Sequence, residues 1–378
     1  MKNDISSLEL YYLVRELKVI ENSKIDRIYN PKNNPKELTI ICHVTGQGKT
    51  LLKVMLPGIM LLDDSKDASD VQTGFGMMLR KYLEGARLKL IEQKDFERVV
   101  TLIIESKNGT EISIYYIIIE LFSKGNIIFC DEKFKILNIL EEQTWKDRTL
   151  KRNETYIYPK SRINTLHVNE EEFRSQLGNS GKESLVKSLA ITFNLGGTYS
   201  EELCILSKVD KSKNVKELSD KEYNLLYKNL VLLLHKEIEA NECEGNIFPF
   251  NLESFKDKEK KTYKTFSEAI RENYDIIKHA ESKKDSSKNV EKIQNVIDEQ
   301  LKILDECEKG YQENQAKAEL IYAKYQEIDI ILKTIKDART KYSWNAIKQK
   351  LNDNPEYKNI IKDIDEKTSS IILEIENH

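Results

Sequence analysis

The chain is short of the residues that would mark a metalloprotein, a secreted scaffold or a membrane protein. Its five cysteines, at 42, 130, 204, 243 and 307, stand far apart with no Cys-x-x-Cys pair. That spacing disfavours a zinc ribbon or a disulfide framework and fits a reducing cytosol. Five histidines (43, 167, 235, 279 and 378) show no i,i+4 pairing, so local sequence assembles neither a metal site nor a nucleophilic triad. No apolar run reaches the ~18–20 residues of a membrane span. The first residues read as a charged amphipathic helix, not a signal peptide. Charge of one sign is also missing: 60 basic residues against 63 acidic ones leave a net charge of -3. Bulk charge therefore does not announce a nucleic-acid binder, and an RNA-binding face has to come from local clustering. The expectation is a cytoplasmic protein of two or three domains, since 378 residues are too many for one small core.

What is present centres on Gln72–Val100. Gly74 and Gly76 open it, and Met78, Leu79, Tyr82 and Leu83 fall on one helical face until Gly85 ends the helix. Arg87–Ile91 and Val99–Ile104 are β-branched enough to be strands. Between them stands Asp95-Phe96-Glu97-Arg98, a carboxylate beside a guanidinium at the mouth of a strand.

Taken in order, residues 5–21 predict a helix that Ser6 or Ser7 caps. Lys24–Tyr29, Glu37–Val44 and Leu51–Met55 predict strands, the last two joined across Gly46-Gln47-Gly48. Gly48-Lys49-Thr50 is no phosphate loop, because His43 stands where the motif needs its first glycine and a strand follows where it needs a helix. Pro57–Ser69 reads as an acidic loop. Glu111–Glu120, Asn126–Cys130 and Ile136–Glu141 add short strands, giving an α+β domain built on a β-sandwich. Residues 144–162 are basic, with Tyr156 and Tyr158 interleaved; they read either as a solvated loop or as a phosphate-contacting edge. Residues 169–240 are helical throughout. Leu195-Gly196-Gly197-Thr198 lies between two helical runs and is either a plain turn or a hairpin whose N–H groups hold a phosphate. Residues 241–262 read as a linker or an irregular strand pair. Apolar or small residues then recur near heptad spacing from 290 to 335, a rod whose stripe needs a second helix, from this chain or another. Trp344, Ile347 and Leu351 suggest a short helix, and Ile360–Ile375 a further helical or mixed segment.

Several of these stretches carry a resemblance. Gly76-Met77-Met78-Leu79-Arg80-Lys81-Tyr82-Leu83-Glu84-Gly85-Ala86-Arg87-Leu88, then Gln93 and the acidic-Arg pair, resemble the NFACT family of NEMF, Caliban and RqcH, whose bacterial members also carry the label fibronectin-binding protein A. The opening helix and strand, residues 144–159, Leu195–Cys204 and Tyr342–Trp344 are similar to the same family. The resemblance implies a multidomain α+β protein. Its expected parts are a sandwich-like, glycosylase-N-like NFACT-N domain (1–165), a helix-hairpin-helix domain (166–240), a linker (241–265), a coiled-coil arm (266–340) and a tip module (341–378). It also implies a chain truncated before the family's C-terminal RNA-binding domain, or an unusually short member.

Function follows as expectation. The resemblance implies a ribosome-associated quality-control factor that is not itself an enzyme and uses no cofactor or metal. Its partners would be the large ribosomal subunit with its rRNA, peptidyl-tRNA and aminoacyl-tRNA (alanyl in prokaryotic relatives), with a ligase or protease downstream and self-association through the rod. Carried over from the family, Glu97 and Arg98 fall where an Asp-Arg pair engages tRNA, and Glu9 where an aspartate of the first helix matters. On the residues alone, Glu97-Arg98 reads as a surface salt bridge. Arg80, Lys81, Arg87, Lys146, Arg148, Lys151, Arg152, Gly196 and Gly197 are the expected RNA phosphate contacts. Two other classes stay open: a DNA-binding or base-excision protein and a coiled-coil scaffold or adhesin. The first has against it that the chain begins Met1-Lys2-Asn3 and reaches its first proline at Pro31, so it lacks the amino-terminal proline nucleophile of formamidopyrimidine-DNA glycosylases.

Overall fold

A computed structural model describes residues 4–64, 71–145, 148–160, 163–354, 360–365, 368 and 370–375, with the side chains of 108, 277–292 and 352 left aside. The chain forms two compact units, Met1–Glu281 and Ser282–His378.

The first unit opens with helix α1, Ser7–Leu17. Strands β1 (Lys24–Tyr29), β2 (Glu37–Val44), β3 (Gly48–Met55) and β4 (Ile59–Asp63) follow as antiparallel neighbours. Helix α2, Gly74–Leu83, leads to β5 (Arg87–Gln93), β6 (Val99–Asn108), β7 (Glu111–Glu120), β8 (Asn126–Cys130) and β9 (Ile136–Ile139). Among the described residues these make one nine-stranded sheet, ordered β4-β3-β2-β1-β5-β6-β7-β8-β9. The β1–β5 seam is thin, with Lys24 opposite Arg87 its one registered pair. Strands from both sides of that seam bury side chains in one core with α1 and α2, including Ile40, Val54, Leu102 and Ile117. Alternation decides the faces. Val100, Leu102 and Ile104 of β6 join this core, while Val99 turns to a second cluster with Ile118, Ile128 and Tyr156. The two-residue strands β10 (Gln143–Thr144) and β11 (Thr149–Leu150) close the sheet region.

Two readings need correction here. Residues 57–69 are not all loop, because the apolar run Ile59–Leu62 pairs with β3 as β4. The helix of the central stretch starts earlier than its apolar residues suggest, at Gly74, where the Thr73 hydroxyl accepts the Gly76 N–H at 2.9 Å. Gly76 has a steric reason to be glycine: a Cβ there would lie 2.9 Å from the Asn30 Cβ.

Helices α3 (Glu170–Gly178), α4 (Leu185–Thr192), α5 (Gly196–Ser207) and α6 (Asp220–Leu234) form a second core. It is not independent of the sheet, since Leu8 and Tyr12 of α1 and Phe96 of the β5–β6 loop are buried in it. The Tyr12 hydroxyl donates to the Leu233 carbonyl at 2.6 Å, and Arg15 to the Lys236 carbonyl at 3.0 Å. The expected linker is a small antiparallel sheet, β13-β12-β14 (Asn246–Phe248, Asn241–Cys243, Lys261–Thr262). Its apolar residues and those just after it explain the order: Phe248, Phe250 and Leu252 are buried in the helical core.

Helix α7, Phe266–Ala323, starts in this unit, where the Glu16 carboxylate accepts the Phe266 and Ser267 N–H groups at 2.6 and 3.0 Å. In the second unit the stripe residues Ile293, Leu301, Leu304 and Tyr311 of α7 are exposed. Helix α8, Tyr325–Lys341, touches α9, Trp344–Asn352, and Ile331, Ile335, Ile347 and Ile364 are buried. The last segment, read as helical or mixed, is an antiparallel hairpin of β15 (Ile361–Asp365) and β16 (Ser370–Leu373).

Candidate nucleic-acid interface

The loop between β5 and β6 is built by local backbone chemistry. Gln93 and Val100 close the ladder, the Lys94 N–H donates to the Val99 carbonyl at 2.9 Å, and the Glu97 N–H donates to the Lys94 carbonyl at 2.7 Å. Asp95 and Phe96 both take positive φ, 47° and 60°, a conformation that costs non-glycine residues energy and persists only when packing enforces it. Here the enforcing contact is the Phe96 ring, fully buried in the helical core. The Gln93 side-chain amide donates to the Ser7 carbonyl at 2.9 Å and the Glu97 carbonyl at 3.0 Å, tying the loop to the first turn of α1.

Arg98 leaves this loop half-buried, and a cleft of about 540 Å³ forms around it. The walls are Asp4–Ser7 before and at the start of α1, Ala190 and Asn194, and Gly196–Thr198 at the start of α5. Two expected site elements, the arginine and the double glycine, thus share one cleft. Asn194 and Gly196 have φ of 54° and 68°, and α5 begins with no side-chain cap at Leu195. A helix start leaves its first N–H groups without intrahelical acceptors and carries positive dipole charge. A guanidinium opposite such a start can hold an anion of phosphate size.

The acidic members behave differently from one another. Among the described residues the Arg98 ion-pair partner is Asp4, at 3.6 Å, and not Glu97. The Glu97 carboxylate is half-buried and has no side-chain partner there. Glu9 is only 3% exposed. One oxygen accepts the Ser6 N–H at 2.7 Å while the Ser6 hydroxyl accepts the Glu9 N–H at 3.3 Å, a reciprocal capping box. The other accepts the Tyr199 hydroxyl of α5 at 3.0 Å. Burial, and then the neighbouring Glu9 charge, push that hydroxyl well above its ordinary pKa. Glu9 therefore sets α1 against α5 from behind the cleft. The Ser6-x-x-Glu9 spacing was the sequence signal for this role; Asp4 and Asn194 had none.

The other expected phosphate contacts lie elsewhere. Arg80 donates to the Ile28 carbonyl at 2.6 Å and covers the Tyr29 ring, so its guanidinium serves the sheet domain. Arg87 is exposed and donates to the Asn22 carbonyl at 2.5 Å; Lys81 is exposed over Tyr82. Arg148 is not a surface cation: it pairs at 2.8 Å with Glu120, itself buried, and the Tyr156 hydroxyl donates to the same carboxylate. Burial raises the Glu120 pKa although Arg148 opposes the rise. Lys151 and Arg152 are exposed and neither lines the Arg98 cleft, while Lys146 lies outside the described residues. On the far flank of the loop a second cleft of about 350 Å³ is lined by Tyr11, Arg15, Lys94, Asp95, Tyr158 and His167, among others. Among the described residues no group of three or more His, Cys, Asp or Glu could hold a metal ion, and no helix is long and apolar enough to cross a membrane.

The family profile of the NFACT N-terminal and middle domains matches residues 6–368. The chain belongs to the NFACT family. This NFACT chain is 30% identical to the archaeal Rqc2 homolog aRqcH of Methanocaldococcus jannaschii, over 100% of its own length and 59% of the relative's. It is 30% identical to ribosome quality control complex subunit 2 of Saccharomyces cerevisiae, over 36% of this chain and 13% of that one. Among solved structures it is similar to the N-terminal part of the fibronectin/fibrinogen-binding protein of Streptococcus suis. That match has a TM-score of 0.59 at 20% identity and covers 72% of this chain and 98% of that one. At such identity the likeness shows the fold: a multidomain α+β protein with an NFACT-N sheet domain.

Proposed function

We propose that this protein is a ribosome-associated quality-control factor. In this reading it binds the large ribosomal subunit carrying a stranded peptidyl-tRNA and recruits aminoacyl-tRNA, alanyl-tRNA first among them, for mRNA-independent extension of the nascent chain. The ribosome forms the bonds, and this chain binds and positions. The observation that carries the reading is the meeting of Arg98 with Gly196–Thr198 in one cleft. A guanidinium and an uncapped helix start are two anion-holding devices facing the same space. The names of the relatives support the ribosomal setting: the yeast and archaeal proteins are called a ribosome quality control complex subunit and an Rqc2 homolog. Glu97, half-buried beside Arg98, is proposed to accept from base amino groups, and Glu9 to act by holding the cleft walls in place.

The test is a pull-down of the protein from cells with sequencing of the bound RNA, repeated with Arg98→Ala. Large-subunit rRNA and tRNA are expected with the wild type. The variant should lose tRNA while its melting temperature stays nearly unchanged. Intact tRNA recovery together with a large stability loss would make Arg98 a structural residue and defeat the reading.

A further inference from the structure

The Arg98 cleft holds its own anion. Asp4 lines the same space as Arg98 and Gly196, and its Oδ2 stands 3.6 Å from an Arg98 terminal nitrogen. Charge-assisted hydrogen bonds close to about 2.7–2.9 Å, so this is a loose pair, with the Asp4 side chain 51% and the Arg98 side chain 30% exposed. Asp4 does not owe its position to Arg98. The Ile5 N–H donates to the Gly58 carbonyl at 3.0 Å, and a Cβ on Gly58 would lie 2.4 Å from the Asp4 Oδ1 and 3.0 Å from its Cα. The backbone is thus seated on a glycine that nothing larger could replace without shifting Asp4.

Building on the proposed tRNA-binding role of this cleft, we infer that Asp4 is a built-in competitor, a fixed carboxylate that occupies Arg98 in the free protein and that an incoming RNA phosphate must displace. Removing it leaves the Arg98 guanidinium free to meet the phosphate. The competitor lowers the affinity of every ligand that uses Arg98 by the same factor. Ligands with no further contacts in the cleft fall below useful affinity first. Glu97 is not among the residues that line this cleft.

The experiment measures binding of total tRNA by fluorescence anisotropy over a range of salt, for wild type, Asp4→Asn, Arg98→Ala and the double variant. Asp4→Asn is expected to tighten binding roughly two- to fivefold, the size of an exposed ion pair. The slope of log Kd against log salt should stay nearly unchanged, because the same phosphate meets Arg98 in both proteins. In the Arg98→Ala background the same substitution should change nothing. Unchanged or weaker binding by Asp4→Asn, with Arg98→Ala still weakening it, overturns the competitor role and leaves the tRNA reading standing. A gain that persists without Arg98 overturns it as well. If Arg98→Ala has no effect on binding, both the tRNA reading of the cleft and this inference fall.

Discussion

Tyr199 on α5 donates its hydroxyl to the Glu9 carboxylate on α1 at 3.0 Å, with both side chains buried. This bond joins the two helices whose starts wall the Arg98 cleft. Glu9→Ala removes a capping-box partner, worth about 1 kcal/mol, and strands a buried hydroxyl at about 1–3 kcal/mol. The expected total loss is about 2–4 kcal/mol by urea denaturation, with Tyr199→Phe costing about 1 kcal/mol. A Glu9→Ala protein as stable as wild type would show that the capping box and the Tyr199 bond contribute nothing to the fold.

The two glycines of the cleft should separate under substitution. Gly196 has φ of 68°, so alanine there is strained by about 1–2 kcal/mol. Gly197 has open space around its Cβ position and needs no positive φ, so Gly197→Ala is expected to hold stability or raise it by about 0.4–1 kcal/mol. Its methyl group enters the cleft, and tRNA affinity should fall even so. Thermal melts paired with anisotropy titrations check both halves.

Arg148→Ala should act on the fold. It leaves the Glu120 carboxylate, 2% exposed, without its cation, and breaking a buried pair from one side costs about 3–5 kcal/mol. Replacing the exposed Lys151 and Arg152 together should move stability by no more than about 0.5 kcal/mol each. Chemical denaturation of the two variants side by side decides between a structural and a surface role for this basic segment.

Acid should expose the α6 cap. Glu222 accepts from Lys213 at 2.7 Å and from the Ser219 N–H at 2.7 Å. The Lys213 hydrogen bond first, then Ser219, hold its carboxyl down to about 2. A folded value below the unfolded one means the contribution is complete above the ordinary carboxylate range and disappears as pH falls towards 2. The stability gap between wild type and Glu222→Gln is therefore expected to be widest above about pH 5 and to close on acidification. A gap that stays constant from neutral pH downwards would show that Glu222 contributes through packing alone.

The elements of the sheet domain were legible wherever a local period was long enough to read. The β2–β3 hairpin follows from two apolar runs about a glycine turn. Strand β4 was missed because four apolar residues after Pro57-Gly58 are too short a signal without the neighbour they pair with. The closing hairpin β15–β16 failed for the same reason, since Ile360–Ile375 fits helix or strand equally until its partner is known. At the site, Ser6-x-x-Glu9 is readable as a cap, whereas the Glu9 bond to Tyr199 depends on a helix far along the chain. The basic segment looked uniform in sequence, and only the position of Glu120 at the end of β7 separates half-buried Arg148 from exposed Lys151 and Arg152.

By itself the sequence determined the α+β layering and the capped helices, because these depend on neighbours within a turn or a hairpin. It also supplied, through resemblance, the residues worth watching. Only the tertiary structure decided which of them meet. Arg98, Asp4 and Gly196 come from three distant parts of the chain, and what brings them together is the Phe96 ring sinking into a helical core that forms more than seventy residues later. Whether a charge faces solvent or a buried partner is set by such packing, and no local pattern encodes it.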